Sequence, residues 1–139
     1  MYMPDLSPYR YARSESPMLA VGWLADAHTF DRGDVPAHVV ERLIDLAFEM
    51  PHLMRGCHYC PFCDEESPIR IDVRRHPTPL YLGMSEIHVR SVSGVVYSAP
   101  SLVLHYIERH RYRPPEEFVR AVEERDGHER RGADVRSVE

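Results

Sequence analysis

Two cysteines and two later histidines are the residues of this 139-residue chain best suited to chemistry. Cys60 and Cys63 have the C-x-x-C spacing at which two thiolates bind one metal ion, and His105 and His110 lie on a predicted helix further along the chain. Two sulfur and two nitrogen donors form a tetrahedral zinc set. The sequence therefore predicts a structural Zn²⁺ site formed by Cys60, Cys63, His105 and His110, and it nominates no catalytic residue.

The spacing of the two histidines restricts how they can share one ion. Five residues at about 100° each place His110 about 140° round from His105 on an ideal helix. The two imidazoles cannot both face one ion from a straight helix. We therefore expect His110 to lie where the last turn loosens ahead of Pro114.

Other residues compete for the same ion. Cys57 extends the motif to C-x₂-C-x₂-C and permits a Cys₃His site, and His58 in the same segment is a weaker substitute. His76 and His88 are expected to be surface or structural histidines. A metal-free alternative also stands, in which the cysteines are small buried residues.

Three other kinds of cysteine chemistry fit the sequence poorly. The Cys-Pro-Phe-Cys motif looks like that of glutaredoxins, but neither a buried strand before it nor a helix starting at its first cysteine is predicted. A zinc deaminase needs an H-x-E motif before its cysteine pair, and this chain lacks it. An iron–sulfur cluster needs a fourth cysteine, and the chain has three.

The composition excludes several classes of function. The sequence contains no lysine, asparagine or glutamine, so Schiff-base catalysis and a phosphate-binding P-loop are excluded. A net charge of −5 argues against binding a polyanion, and the arginines of the C-terminal tail (Arg130, Arg131 and Arg136) alternate with acids. No apolar run is long enough to span a membrane and the N-terminus has no secretory pattern, so we expect a cytoplasmic protein with neither nucleic-acid nor membrane partners.

Periodicity predicts one α+β domain, a small antiparallel sheet with hairpins packed on about three helices and stapled by zinc. We expect an irregular N-terminal arm over residues 1–17, the domain over 18–125 and a mobile charged tail over 126–139. Helices are predicted over 34–50, capped by Asp34, over 100–111, with Ser98 as a possible cap, and from Pro115 onward. Strands are predicted over 19–24, 69–73, 80–82, 86–90 and 95–97, the last two as a hairpin.

Two resemblances accompany these motifs. The order of cysteine knuckle, hairpin and helix from Cys60 to His110 resembles treble-clef-like zinc modules, although their helix ligands usually lie nearer the helix start. Other segments are similar to a family of small uncharacterised bacterial proteins, which implies one coherent domain. They are Pro4–Tyr9, Val21–Leu24, Arg55–Cys63, Gly94–Pro100, His105–Ile107, His110 and Tyr112–Val119.

The function we predict is that of a non-enzymatic, zinc-stabilised protein-interaction domain of unknown partner and oligomeric state, since four protein ligands close the coordination sphere. One alternative is a metal-dependent hydrolase in which water replaces one ligand and Glu108 or Glu86 acts as base. Another is an immunity-type protein that neutralises a basic partner, which the net charge permits.

Overall fold

A computed structural model of the chain describes residues 1–14 and 16–124. The chain forms β1 (Leu19–Ala20), α1 (Ala37–Ala47), β2 (Ile69–Ile71), β3 (Leu80–Leu82), β4 (Glu86–Arg90), β5 (Val96–Pro100) and α2 (Val103–His110). A further helix, α3, covers 116–124. The predicted α+β class and three helices are confirmed. The tail predicted over 126–139 lies outside the described residues.

The strands form two small sheets. In the first, β5 lies between β1 and β4, paired parallel with β1 and antiparallel with β4. The β4–β5 register pairs Glu86 with Pro100 and His88 with Ser98, which confirms the predicted hairpin. β2 and β3 form a separate antiparallel pair. Because β5 is central, four of its five residues are buried, as is typical of an inner strand.

The first helix is shorter than predicted at both ends. It begins after Pro36, whose extended backbone (ψ 142°) stands at the N-cap without a side-chain hydrogen bond. Asp34 is therefore not the cap; its Oδ1 accepts a hydrogen bond from Arg111 Nη2 at 3.0 Å. The apolar stripe of α1 buries Val39, Leu43 and Ala47, and the helix packs on β4 and α2.

The start of α2 also differs from the prediction. Pro100 is the last residue of β5, not the first turn of the helix, and Ser98 is a strand residue rather than a cap. A proline is tolerated there because β1 pairs only with Tyr97 and Ser98, so no neighbour on that side requires the missing N–H. The helix begins at Val103, and its residues 103–107 are all buried.

The N-terminal segment lies against the first sheet. Met3 N donates to Trp23 O at 3.1 Å, Leu6 N donates to Ala20 O at 2.7 Å, and Met3 is only 4% exposed. Asp5 accepts hydrogen bonds from Gly22 N at 2.9 Å and from the Tyr112 hydroxyl at 2.8 Å. The segment was predicted to be an irregular arm. These contacts attach much of it to the surface of the domain.

Within the described residues, no helix has the length and hydropathy required to cross a membrane.

Candidate metal centre

The four residues predicted to bind zinc lie together in the structure. Cys60 Sγ is 3.3 Å from His110 Nε2, and Cys63 Sγ is 3.4 Å from His105 Nε2. One ligand atom from each residue lies within 4.8 Å of the other three. With Zn–S bonds of about 2.3 Å and Zn–N bonds of about 2.0–2.1 Å, the S···N edge of a tetrahedron is about 3.5 Å. The separations thus fit one zinc ion bound by all four side chains.

The cysteines are positioned by a loop that is fastened to the segment ahead of β4. His58 N donates to Gly83 O at 2.8 Å, and Met54 N donates to Met84 O at 2.9 Å. Gly83 permits this approach, since its φ is +116° and an added Cβ would lie 3.0 Å from the His58 carbonyl oxygen. The loop therefore enters the cysteine motif along a fixed path, two residues before Cys60.

The cysteine motif itself folds as a knuckle. Phe62 N donates to Cys60 Sγ at 3.4 Å, the kind of backbone contact that stabilises a thiolate. The Phe62 ring packs edge-on against Tyr106 at 5.8 Å and lies 5.5 Å from the His110 ring. The Phe62 side chain covers one side of the centre and packs the cysteine motif against α2.

The end of α2 resolves the problem of the histidine spacing. His110 is the last helical residue, and Arg111 follows in a left-handed conformation (φ 56°, ψ 31°). There the Tyr112 N–H reaches back to Tyr106 O at 3.0 Å, which closes the helix. The two imidazole rings meet at a centroid distance of 5.1 Å. His110 is thus at the position where the helix ends, as the spacing required.

The surroundings of His105 and His110 favour the neutral form of both imidazoles. Burial lowers the pKa of His105, with a further contribution from His110. Burial and the nearby Arg109 and Arg32 lower the pKa of His110. A lowered pKa favours the neutral form of each ring, which is the form that donates a lone pair to a metal ion.

The cysteine motif differs from a glutaredoxin-type site in two respects. Burial raises the pKa of the Cys60 thiol, whereas catalytic thiols have lowered pKa values. The motif also lies in a loop rather than at a helix start. This agrees with the expectation that the residues are not a glutaredoxin-type site.

The competing ligands lie outside the group. Cys57 is half-buried and is not among the four converging residues. His58 Nε2 lies 3.0 Å from the Tyr11 hydroxyl and is directed toward the N-terminal segment. Glu108 lines a cavity of about 360 Å³ together with His105, and it is not part of the four-residue group.

Sequence reasoning missed a second cluster. His52, Glu86 and His88 also bring one ligand atom each within 4.8 Å of one another. The predicted alternation of β4 placed Glu86 and His88 on one face of the strand, and that was the only available signal. His52 belongs to the loop after α1, and no local sequence pattern predicts the path of that loop.

Comparisons with known proteins give a family but no activity. The family model described as a domain of unknown function (DUF7919) matches residues 1–123. No curated protein and no solved structure matches the chain.

Proposed function

The chain belongs to this family of unknown function, and we propose that it is a non-enzymatic protein-interaction domain whose fold is stabilised by one structural zinc ion. The observation that carries the proposal is the convergence of Cys60, Cys63, His105 and His110 within 4.8 Å. Two cysteines and two histidines satisfy the four positions of tetrahedral zinc without water. Such a centre contributes folding free energy and leaves no position for a substrate.

The zinc ion would join parts of the chain that are distant in sequence. It would connect the loop between α1 and β2 to α2, over a separation of 42 residues between Cys63 and His105. The described strands are two to five residues long and form two separate sheets. Because backbone pairing between these parts is limited, a metal cross-link would have a large effect on stability.

A shallow groove beside the cysteine loop supports the interaction role. Tyr59 is 64% exposed and lines this groove of about 190 Å³ together with His58, Trp23 and Leu102. That volume is below the roughly 300 Å³ at which pockets for small molecules begin. Exposed tyrosine is common where proteins contact one another. The partner's chemistry is not specified by these residues, and the immunity-type role stays a hypothesis that rests on the net charge.

The first test counts metal ions and compares cysteine variants. We expect Cys63→Ser to bind one zinc ion fewer than the wild type and to lose most of its thermal stability, because a ligand of the fold-stabilising ion is gone. Cys57→Ser is the matched control and should keep both the metal content and the melting temperature. Elemental analysis, native mass spectrometry and circular dichroism make these measurements.

The second test concerns the coordination sphere. The measurement uses a His52→Ala variant, which disrupts the His52–Glu86–His88 cluster and keeps the four-residue centre intact. X-ray absorption at its zinc edge should give two sulfur and two nitrogen ligands. A sphere that includes a water oxygen in place of His105 or His110 would instead favour the hydrolase alternative.

Equal zinc content and stability in Cys63→Ser and Cys57→Ser would refute the structural-zinc proposal outright.

A further inference from the structure

A second group of metal-binding side chains lies at the start of β4, outside the four-residue centre. Glu86 is the first residue of the strand, and its side chain is only 3% exposed. His52 Nδ1 and His88 Nε2 lie 2.8 Å and 2.7 Å from the same oxygen, Glu86 Oε1. The two rings approach from different directions, at a centroid distance of 5.0 Å and an interplanar angle of 84°.

The hydrogen bonds around Glu86 are crowded on one oxygen. Ser98 Oγ donates to Oε1 at 2.9 Å, and His88 Nε2 is hydrogen-bonded to the same oxygen. His52 Nδ1 adds a close contact to Oε1 and lies 3.1 Å from the Tyr9 hydroxyl. A carboxylate oxygen has about two lone-pair directions, so Ser98 and His88 use both, and His52 Nδ1 lies 2.8 Å from Oε1 with no further lone pair to accept its N–H. A metal ion would relieve the crowding, because both imidazoles would then direct lone pairs at the ion rather than N–H groups at the oxygen.

The surroundings of the carboxylate are those of a metal ligand with an outer shell. The Tyr9 hydroxyl donates to the other oxygen, Glu86 Oε2, and Ser98 is fully buried beneath Oε1. Outer partners of this kind fix the orientation of a coordinating carboxylate. Tyr9 comes from the N-terminal segment and Ser98 from β5, so two further parts of the fold hold Glu86 in place.

His52 is held in place by a strained backbone. Met50 and His52 both have positive φ angles, 48° and 53°, around Pro51. Glu86 N donates to Pro51 O at 3.0 Å, which fastens this turn to the first residue of β4. Non-glycine residues in this conformation persist only where the surroundings enforce it, and they are concentrated at functional sites.

From this geometry we propose that His52, Glu86 and His88 form a second binding site for a divalent transition-metal ion, with coordination positions open to solvent. Two imidazoles and one carboxylate suit Zn²⁺ or Co²⁺ and not Ca²⁺ or Mg²⁺, which prefer oxygen ligands. Seating an ion requires the donors to separate by a few tenths of an ångström from their present spacing. The His52 and His88 side chains, 29% and 26% exposed, have room for that shift.

The open positions distinguish this site from the cysteine–histidine centre. Among the described residues three protein ligands converge, and both imidazoles border solvent, so water completes the coordination sphere. Three protein ligands with an exchangeable water are the composition of catalytic rather than structural metal sites. The proposal concerns metal binding and is independent of the structural-zinc proposal.

The test counts Zn²⁺ ions bound to the full chain by native mass spectrometry. We expect two ions in the wild type and one in each of His52→Ala and His88→Ala. His76→Ala is the matched control, since His76 Nε2 contacts Asp45 Oδ1 at 2.8 Å with a side chain 25% exposed, and it should keep two ions. Tyr9→Phe should keep two ions but bind the second about 10–100-fold more weakly, as loss of an outer-shell partner does.

Cobalt gives a second readout that does not depend on counting. Co²⁺ at the proposed site should add d–d absorption without any thiolate-to-metal charge-transfer band, and His88→Ala should remove that part of the spectrum alone. A zinc count that is the same in wild type, His52→Ala and His88→Ala would mean that the three side chains form a metal-free hydrogen-bond network, whether or not the cysteine–histidine centre binds zinc. A second ion lost equally in His76→Ala would identify adventitious surface binding and overturn the proposal.

Circular dichroism verifies that each variant is folded. Should one of the alanine variants unfold, the other and Tyr9→Phe decide the outcome.

Discussion

Asp5 connects the beginning of the chain to the segment that follows α2. One of its carboxylate oxygens accepts a hydrogen bond from Gly22 N, and the other accepts one from the Tyr112 hydroxyl, 107 residues away in sequence. Burial raises the pKa of Asp5, in opposition to these two hydrogen bonds. The Tyr112 side chain is fully buried, so its hydroxyl cannot turn to water if Asp5 is removed.

We expect Tyr112→Phe to lower the free energy of unfolding by about 0.5–1.5 kcal/mol, because the hydrogen bond from the buried hydroxyl to the Asp5 carboxylate is lost. Urea denaturation followed by circular dichroism measures the change. The control is Tyr59→Phe at an exposed position, which should alter stability by less than about 0.5 kcal/mol. Equal effects of the two substitutions would show that the hydrogen bond to Asp5 does not contribute.

Gly83 determines how closely the cysteine loop approaches the segment before β4. Its N–H donates to Ser101 Oγ at 2.8 Å, and its carbonyl oxygen accepts a hydrogen bond from His58 N. Through these two bonds Gly83 joins the cysteine loop, at His58, to the segment that leads into α2, at Ser101. The elements that carry the cysteines and the histidines are therefore connected through one residue.

We expect Gly83→Ala to lower the free energy of unfolding by about 1–3 kcal/mol, since φ is +116° and the added Cβ meets the His58 carbonyl oxygen. It should also weaken zinc binding by displacing Cys60. Gly56→Ala is the control in the same loop, because an added Cβ there meets no atom within 4 Å. Thermal denaturation and competition for zinc with a chelator measure the two effects; a Gly83→Ala variant as stable as Gly56→Ala would contradict the assignment.

The same elements show what the sequence could and could not predict. The β4 bounds and the amphipathic character of α1 follow from local periodicity, and the structure agrees with both. The start of α2 was misplaced because Pro100 is also compatible with the end of a strand whose neighbour has already stopped. The cysteine–histidine group was predictable from ligand types and spacing. The His52 cluster was not, since it depends on a strained turn.

For the whole molecule, the charge composition determines the response to alkaline pH. All of the basic side chains that carry charge at high pH are arginines, since the sequence has no lysine. Tyrosines and cysteines therefore dominate titration above pH 9. Burial raises the pKa of Tyr97 to about 12, and its hydrogen bond to the Glu117 carboxylate adds to the shift.

The pKa of Tyr97 is raised on folding, so its stabilising contribution is complete below pH 10, the ordinary tyrosine pKa, and is lost as the pH rises toward 12. We expect the free energy of unfolding to decrease over that interval, with Tyr97 contributing at most about 1.4 kcal/mol per pH unit. Tyr97→Phe should make the decrease shallower, and Glu117→Gln should do so in part. Urea titrations at pH 9, 10 and 11 measure the slopes; identical slopes in wild type and Tyr97→Phe would exclude this contribution.

The position of Trp23 has a practical consequence. It is the single tryptophan of the chain, 3% exposed, and its indole N–H donates to Ser98 O at 2.9 Å. Its ring lies 5.1 Å from Tyr11 and 6.2 Å from His58. The protein thus contains a built-in optical probe where the N-terminal segment, the cysteine loop and β5 meet. Its emission will report, without any label, on whether these three parts separate together or in sequence.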